Sequence, residues 1–307
     1  MHVVLIPFFL AANVTTFDSR AWVYGPEYVF DVNITHALSD GLLGDALFQT
    51  SVTTTLKCRP KSMDQLLCHF EGITVEDMSG GHIELGEIGT PFVIEFSPRG
   101  IENIGFSSTI NKKKLNILRK IFKELSTEID LSKYANVVLP YLSYAGDKDY
   151  PLNDCSSLFV IYEFYDSDDL HRSNREESYD RSKKRNYNLE VMSLPNRSTD
   201  KTVVFEKWTD KRNSKCHPTL RKTMTNFEID EYISRMYINN NTFESETRIS
   251  QRVSNNIAKR NFTLQDITSV KLLGIKPATD LLPFINFDKF ERLHPIEAMD
   301  NNNNNNN

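Results

Sequence analysis

The chain has 307 residues, of which 39% are apolar and 25% are charged, and its formal net charge is −5. These values are ordinary for a globular protein. The length is sufficient for one large β domain or for a β domain with a smaller helical part. The mildly acidic charge lacks the basic footprint of nucleic-acid-binding proteins, so we expect no nucleic-acid partner.

An apolar run at residues 3–12 opens the chain and ends in the small residues Ala11 and Ala12. The run resembles the core of a secretory signal, which predicts a cleavable signal peptide over residues 1–12. The alternative is a buried first strand, because no basic segment precedes the run. No stretch of the sequence reaches the roughly 18 apolar residues of a membrane-spanning helix, so we expect no transmembrane segment.

Five Asn-x-Ser/Thr sequons begin at Asn13, Asn33, Asn196, Asn240 and Asn261. Beside the signal-like start they predict a secreted, extracellular glycoprotein, because such sequons are glycan acceptors in secreted chains. We assign glycosylation to the last four of these asparagines.

The first clear strand signal is EYVFDVNIT at residues 27–35, where apolar and polar side chains alternate with a period of two. Asn33 falls on the polar face of this strand, where a glycan can attach outside the core. Two later strand patterns carry Cys58 and Cys68 on their apolar faces and are joined by a short loop. A cross-strand disulfide between the two forms if their Cα atoms come within about 7 Å.

The four cysteines are Cys58, Cys68, Cys155 and Cys216, and none is in a CxxC pair. We therefore expect no zinc site and no other metal or cofactor. An even number of cysteines fits two disulfides in an oxidising compartment. Four buried free thiols are the alternative.

The hydrophobic period changes from two to three or four in residues 111–131, which predicts one amphipathic helix. Its apolar positions are Leu115, Leu118, Phe122, Leu125 and Ile129. Its predicted polar face carries Lys113, Lys120, Lys123 and Glu124. We favour a helix that plugs or caps a sheet over one that lies on a membrane surface.

Further strand patterns follow the helix, and two segments interrupt or end them. Residues 166–188 are dense in charge and almost free of apolar side chains, which predicts a long exposed loop. Residues 299–307 end in seven asparagines, a low-complexity tail that we expect to be disordered.

No known catalytic motif is found in the sequence: it lacks a G-x-S-x-G elbow, a Walker loop, a G-x-G-x-x-G turn and an H-E-x-x-H pair. The seven histidines are scattered, and none has metal-ligand spacing to another. The sequence therefore predicts that the protein is not an enzyme.

The sequence also contains two basic clusters. One consists of Arg181, Lys183, Lys184 and Arg185, and the other of Lys207, Lys211, Arg212 and Lys215. Either cluster can be a solvated face that discourages edge-to-edge strand pairing. The functional alternative is a docking patch for an acidic partner, where charge steers the encounter.

Several of these segments occur in an order that resembles a known family. AWVYGPEYVFDVN presents Trp22, Gly25, Tyr28 and Phe30, and GTPFVIEFSPRGIENIGFSS presents Pro91, Phe92, Ile94, Gly100 and Ile101. The helix NILRKIFKEL, the segments DCSSLFVIYEFY and TVVFEKWTDKRNSKC, and the strands of YISRMYINNNTFESETRISQRV follow. Over residues 21–253 this order resembles the vitellogenin branch of the large lipid transfer protein family, closest to the insect type.

The resemblance implies a mainly β fold with one helix (α+β): a β-barrel-like N-terminal lipoprotein sheet wrapped around a central amphipathic helix, over residues 21–298. It implies a bridge between Cys155 and Cys216. It also implies docking to a lipoprotein receptor of the low-density type through Lys207, Lys211, Arg212 and Lys215. Thr209 stands where the family's docking motif has a lysine, and Lys207 lies two residues upstream to compensate.

The resemblance further implies the N-terminal module of a secreted yolk lipoprotein, with lipid transport and nutrient storage as its activities. Lipid would be carried through downstream domains that this sequence does not contain. The alternatives are an intracellular lipid-transfer chaperone subunit of the same superfamily and a truncated copy that serves only for storage.

Overall fold

The structure is a computed structural model. It describes residues 2–5, 10–14, 22–40, 46–78, 82–84, 91–97, 100–107, 112–127, 139–145, 157–165, 187–191, 201–209, 225–255, 260–280 and 290–293. These residues form strands and one helix, with the bounds β1 His2–Leu5, β2 Leu10–Val14, β3 Pro26–Asp40, β4 Ala46–Pro60, β5 Gln65–Asp77, β6 His82–Glu84, β7 Phe92–Ser97, β8 Gly100–Ser107, α1 Lys112–Glu124, β9 Tyr141–Ala145, β10 Ser157–Tyr165, β11 Tyr187–Val191, β12 Lys201–Thr209, β13 Thr225–Ile238, β14 Phe243–Asn255, β15 Arg260–Pro277 and β16 Phe290–Leu293.

Most of the strands belong to one large antiparallel sheet with the order β16-β8-β7-β5-β4-β3-β15-β14-β13-β12-β10-β9, and β6 pairs with β5. The mainly β fold with one helix is therefore confirmed. The barrel-like closure of the sheet that the resemblance implies is not confirmed. A barrel closes only when its two outermost strands pair, and among the described residues the pairing runs as an open path from β16 to β9.

Strand β3 shows why the sequence forms this sheet. Tyr28, Phe30, Val32 and Ile34 are buried, whereas Asn33 between the last two is exposed. This is the predicted period of two, with one face in the core and the other in solvent. We call the buried side of the sheet the inner face.

Helix α1 packs against the inner face, as its hydrophobic pattern predicts. Leu118, Ile121 and Phe122 are buried, and the ring of Phe122 meets that of Phe92 edge to face, with 5.8 Å between centroids. The helix ends at Glu124, seven residues before the predicted end at residue 131. A tight turn follows, in which the amide of Leu125 donates to the carbonyl of Phe122 (3.1 Å).

A second, three-stranded sheet joins the start of the chain to β11, in the order β1-β2-β11. Leu10, Ala12 and Val14 of β2 are buried in the core. The segment that resembles a signal peptide thus forms β1 and part of β2, the alternative that the sequence left open. Its cleavage stays a prediction.

The last two residues of the charged loop predicted for residues 166–188 belong to a strand instead, because Tyr187 begins β11 and is buried. Its aromatic ring contributes to the core, and its hydroxyl donates to the carbonyl of Asn241 (3.5 Å). Residues 166–186 and the asparagine tail at 299–307 lie outside the described residues.

Candidate functional site

A row of mostly polar side chains crosses the inner face beneath the C-terminal end of α1. The register of neighbouring strands places Phe159 opposite Lys207, Lys207 opposite Ser234, Ser234 opposite Thr247, and Thr247 opposite Thr268. Residues directly opposite each other in an antiparallel ladder share a face. The row therefore brings a lysine and three hydroxyls into a part of the molecule that is otherwise an apolar core.

Glu124, the last residue of α1, points into this region and is 1% exposed. The hydroxyl of Ser245 donates to its Oε2 (2.7 Å), while its Oε1 has no hydrogen-bond partner. Burial raises the pKa of Glu124 to about 8, and hydrogen bonds to Thr247 and Ser245 offset only part of that effect. The carboxyl group is therefore predominantly protonated at neutral pH. The sequence pattern had placed Glu124 on the polar face of the helix, which is wrong.

A pocket opens next to this cluster, between the end of α1 and strands β10, β12 and β13. We call it the Lys207 pocket. Its lining combines two cationic side chains, hydroxyls and apolar side chains, namely Lys123, Ser126, Thr127, Phe159, Phe205, Lys207, Tyr232, Ser234 and Met236. Phe159 and Phe205 are stacked, with ring centroids 6.4 Å apart.

The middle of α1 is tied to the sheet by a separate polar cluster. Lys120 Nζ lies 3.2 Å from Asp266 Oδ2, and His36 Nδ1 hydrogen-bonds to Asp266 Oδ1. Although burial raises the pKa of Asp266, the hydrogen bond from His36 and the charge of Lys120 lower it by more. These residues are distant in sequence, so no local pattern could have predicted the cluster. Its contacts are those of an anchor for the helix.

Cys58 and Cys68 are directly opposite in the β4–β5 ladder, and a disulfide joins them, with 4.1 Å between their Cα atoms. Both side chains are fully buried on the inner face, where the sequence pattern placed them. Cys155 and Cys216, which the resemblance pairs, lie outside the described residues.

Three of the asparagines predicted to be glycosylated are described. Asn33 and Asn261 are exposed on β3 and β15, and Asn240 is half-buried in the turn between β13 and β14. The side-chain carbonyl of Asn33 accepts a hydrogen bond from Ser51 (3.3 Å). Asn196 lies outside the described residues. Glycosylation of all four stays a prediction.

Lys207 does not lie where a receptor-docking residue should. It is 6% exposed, because Phe205 and Lys207 are two residues apart on β12 and both point to the inner face. A macromolecular partner cannot reach its ammonium group from the surface, so Lys207 has to be removed from the predicted docking patch. The other members of both basic clusters lie outside the described residues, namely Lys211, Arg212, Lys215, Arg181, Lys183, Lys184 and Arg185.

No group of three or more His, Cys, Asp or Glu side chains is arranged to hold a metal ion in the part of the chain that the structure describes. The helix that the structure describes is neither long nor apolar enough to cross a membrane.

Two residues that carry the family resemblance have direct structural roles. Gly25 has a φ of 81°, and its amide donates to the carbonyl of Trp22 (3.0 Å) in the turn before β3. Gly100 has a φ of 115° at the start of β8. Glycine adopts such backbone conformations without the steric cost of a Cβ atom. The shared pattern therefore reflects turns that the fold requires.

Comparison with known proteins shows a distant similarity in fold to one solved structure. The chain is similar to lipovitellin in a solved structure concerned with lipid–protein interactions, with a TM-score of 0.53 and 12% sequence identity over 86% of this chain. The match spans 27% of the lipovitellin chain. Neither a scan against protein-family models nor a search of curated proteins found a match. At this identity the similarity shows a distant relation in fold.

Proposed function

We propose that this chain is a module of a secreted, lipid-carrying storage lipoprotein of the vitellogenin type. The observation that carries the proposal is the lipovitellin-like fold over 86% of the chain. The buried disulfide between Cys58 and Cys68 supports it, because such bonds persist in oxidising compartments. The exposed sequon asparagines Asn33 and Asn261 also fit a secreted chain.

Within such a particle, the module serves as the docking end and has no catalytic role. Bulk lipid belongs to further domains, and a low-density-type lipoprotein receptor is the proposed partner. With Lys207 buried, docking falls to Lys211, Arg212 and Lys215, which follow β12 in the sequence. These cations can pair with the acidic repeats of such a receptor.

The test is binding of the full chain to an acidic-repeat lipoprotein receptor at low salt, where charge steering is strongest. We expect the triple substitution of Lys211, Arg212 and Lys215 to alanine to weaken binding by about tenfold or more, because several charge pairs are lost. The matched control replaces Lys183, Lys184 and Arg185 with alanine, which removes the same charge from the other cluster. Equal binding by both variants would contradict the docking assignment.

The burial of β2 favours a second candidate, an intracellular lipid-transfer chaperone subunit. In this candidate Leu10, Ala12 and Val14 stay in the core of the mature protein, and residues 1–12 are not cleaved. The two candidates differ in the N-terminus and mass of the mature protein. A secreted lipoprotein module has lost the segment before about residue 13 and carries glycans, whereas the chaperone subunit retains Met1 and carries none.

A further inference from the structure

We propose that one end of the large sheet docks onto a zwitterionic phospholipid membrane surface, through apolar side chains at the tips of two neighbouring turns. The turns are residues 22–25, which precede β3, and residues 61–64, which join β4 to β5. We call them together the loop-tip surface. The inference goes beyond receptor docking and does not depend on secretion, so either proposal can fail without the other.

Three large apolar side chains are exposed on the loop-tip surface. Met63 is 90% exposed and Val23 is 72% exposed, the two highest values among the large apolar side chains that the structure describes. Tyr24 is 44% exposed. Because burial of apolar side chains is favourable, several of them held in solvent at one place indicate a surface that is covered when the protein meets a partner.

The two turns lie side by side. Tyr28 and Cys58 are opposite each other at this end of the β3–β4 ladder, and neighbouring strands are about 4.8 Å apart. Val23 precedes Tyr28 by five residues and Met63 follows Cys58 by five, so the turns extend the same number of residues beyond the ladder. Their tips can therefore meet one surface together.

Backbone hydrogen bonds hold both turns in place. The amide of Gly25 donates to the carbonyl of Trp22 (3.0 Å), and the carbonyl of Gly25 accepts from the amide of Ala278 (2.9 Å). In the other turn the amide of Lys61 donates to the carbonyl of Gln65 (2.9 Å). Because these segments are already ordered, docking has little conformational entropy to lose.

The shape and composition of the tips suit a lipid surface. Side chains that project from turns gain most from a surface that deforms around them, as fluid lipid does. Val23 and Met63 are apolar and can enter the boundary between headgroups and acyl chains, where interfacial proteins bury their apolar side chains. Tyr24 belongs to a residue type that is enriched at membrane–water interfaces, because its ring is apolar and its hydroxyl is polar.

The charges at this end of the sheet select a zwitterionic surface. On the two turns, the strand ends beside them and the segment after β15, the anions Glu27, Asp64 and Asp280 outnumber the cations Arg59 and Lys61. Arg59 forms ion pairs with Glu27 (2.9 Å) and Asp280 (2.7 Å). A surface without an excess of positive charge gains nothing from anionic lipid. Docking should therefore depend on apolar insertion and respond little to salt.

The experiment measures co-sedimentation of the full chain with unilamellar vesicles of dioleoylphosphatidylcholine. One myristoyl chain gives a membrane partition constant of about 10⁴ M⁻¹, and three side chains bury less apolar surface, so we expect half-maximal binding at roughly 1 mM lipid. Replacing part of the lipid with phosphatidylserine, or raising the salt concentration, should change the binding by less than about twofold.

A matched pair of substitutions assigns the surface. Met63→Gln should weaken vesicle binding by about tenfold, the worth of burying one methionine side chain. The control is Met78→Gln, because Met78 follows β5 at the opposite end of the sheet and is also exposed (56%). It should bind vesicles as the wild type does. Both positions are exposed, so both variants should fold, which circular dichroism checks.

Trp22 reports insertion directly, because it adjoins Val23 in the first turn. The chain has two tryptophans, and the other is Trp208 on β12, four strands away from β3 in the sheet. Phosphatidylcholine with brominated acyl chains quenches tryptophan fluorescence only at short range. The Trp208→Phe variant should therefore be quenched on such vesicles, whereas Trp22→Phe should not.

The proposal is overturned if the full chain does not bind phosphatidylcholine vesicles at several millimolar lipid, the result expected if a protein covers the tips instead. It is overturned equally if binding requires phosphatidylserine, if Met63→Gln and Met78→Gln bind alike, or if brominated lipid quenches Trp208 and leaves Trp22 unaffected. Receptor binding by the Met63→Gln variant should be unchanged, so a failure here is separate from a failure of the docking assignment.

Discussion

The buried carboxyl of Glu124 makes a quantitative prediction about the pH dependence of stability. Its pKa is about 8 in the folded chain, against a usual 4.5. Below pH 4.5 the group is protonated in both states and has no effect. As the pH rises from 4.5 to 8, the unfolded chain releases the proton while the folded chain retains it, so stability falls throughout this window.

The size of the effect follows from the two pKa values. A difference of about 3.5 units at about 1.4 kcal/mol per unit gives a loss of about 5 kcal/mol above pH 8, of which about 3 kcal/mol is already lost at pH 7. The group is 1% exposed, so solvent screening does not reduce this order-of-magnitude estimate. Glu124→Gln cannot ionise and should not show the loss.

The assay is urea unfolding of the wild type and Glu124→Gln at intervals from pH 4 to pH 9. The difference between their free energies of unfolding should grow by about 5 kcal/mol in favour of the variant across this range. Other titrating groups cancel in the difference. Glu102→Gln alters an exposed carboxylate on β8 and should track the wild type. A Glu124→Gln difference that stays constant from pH 5 to pH 9 would refute the burial argument.

The remaining predictions concern turns, the disulfide and the helix anchor. Gly25→Ala should destabilise the protein by about 1–2 kcal/mol in urea unfolding, because Gly25 has a φ of 81°. Gly274→Ala, at a site with no positive φ and no atom within 4 Å of the added Cβ, is its control and should stay within about 1 kcal/mol of the wild type. Replacing Cys58 and Cys68 together with alanine should cost about 3 kcal/mol in the same assay, as expected for a cross-link between residues 10 apart; an unchanged midpoint would contradict this. Asp266→Asn should lose about 1–2 kcal/mol at pH 7. Because the pKa of Asp266 is lowered, its contribution is present above the usual 3.8 and is lost as the pH falls through the folded value. Wild type and variant should therefore converge in unfolding measurements as the pH falls below 3.8.

Much of the fold could be predicted because the local hydrophobic periodicity indicates where the strands lie and which of their faces is buried. The alternation around Asn33 identified β3 and its faces, and the same rule put Cys58 and Cys68 on the inner face of neighbouring strands. The burial of Lys207 was also predictable in this way. In TVVFEKW it lies two residues after Phe205, on the same side of the strand, which predicts a buried position, whereas the family resemblance implies an exposed docking residue.

The parts that could not be predicted depend on contacts between residues that are far apart in the sequence and close together in the fold. Lys120, His36 and Asp266 meet although they are 84 to 230 residues apart in the sequence, and each alone fits an ordinary surface position. The helical period places Glu124 on the polar face of the predicted helix. It is buried because strands pass beneath the end of α1, and the sequence of the helix alone does not indicate where those strands lie.

The lengths of the elements explain why one helix does not fill this sheet. α1 has 13 residues and is therefore about 20 Å long. β3 and β4 have 15 residues each, or about 50 Å. A helix of that length covers only part of the inner face. Phe48 pairs with Leu38 on the inner face but is 51% exposed. The apolar alternation of a strand thus identifies the face that a side chain occupies, but whether that face is covered depends on the length of what packs against it.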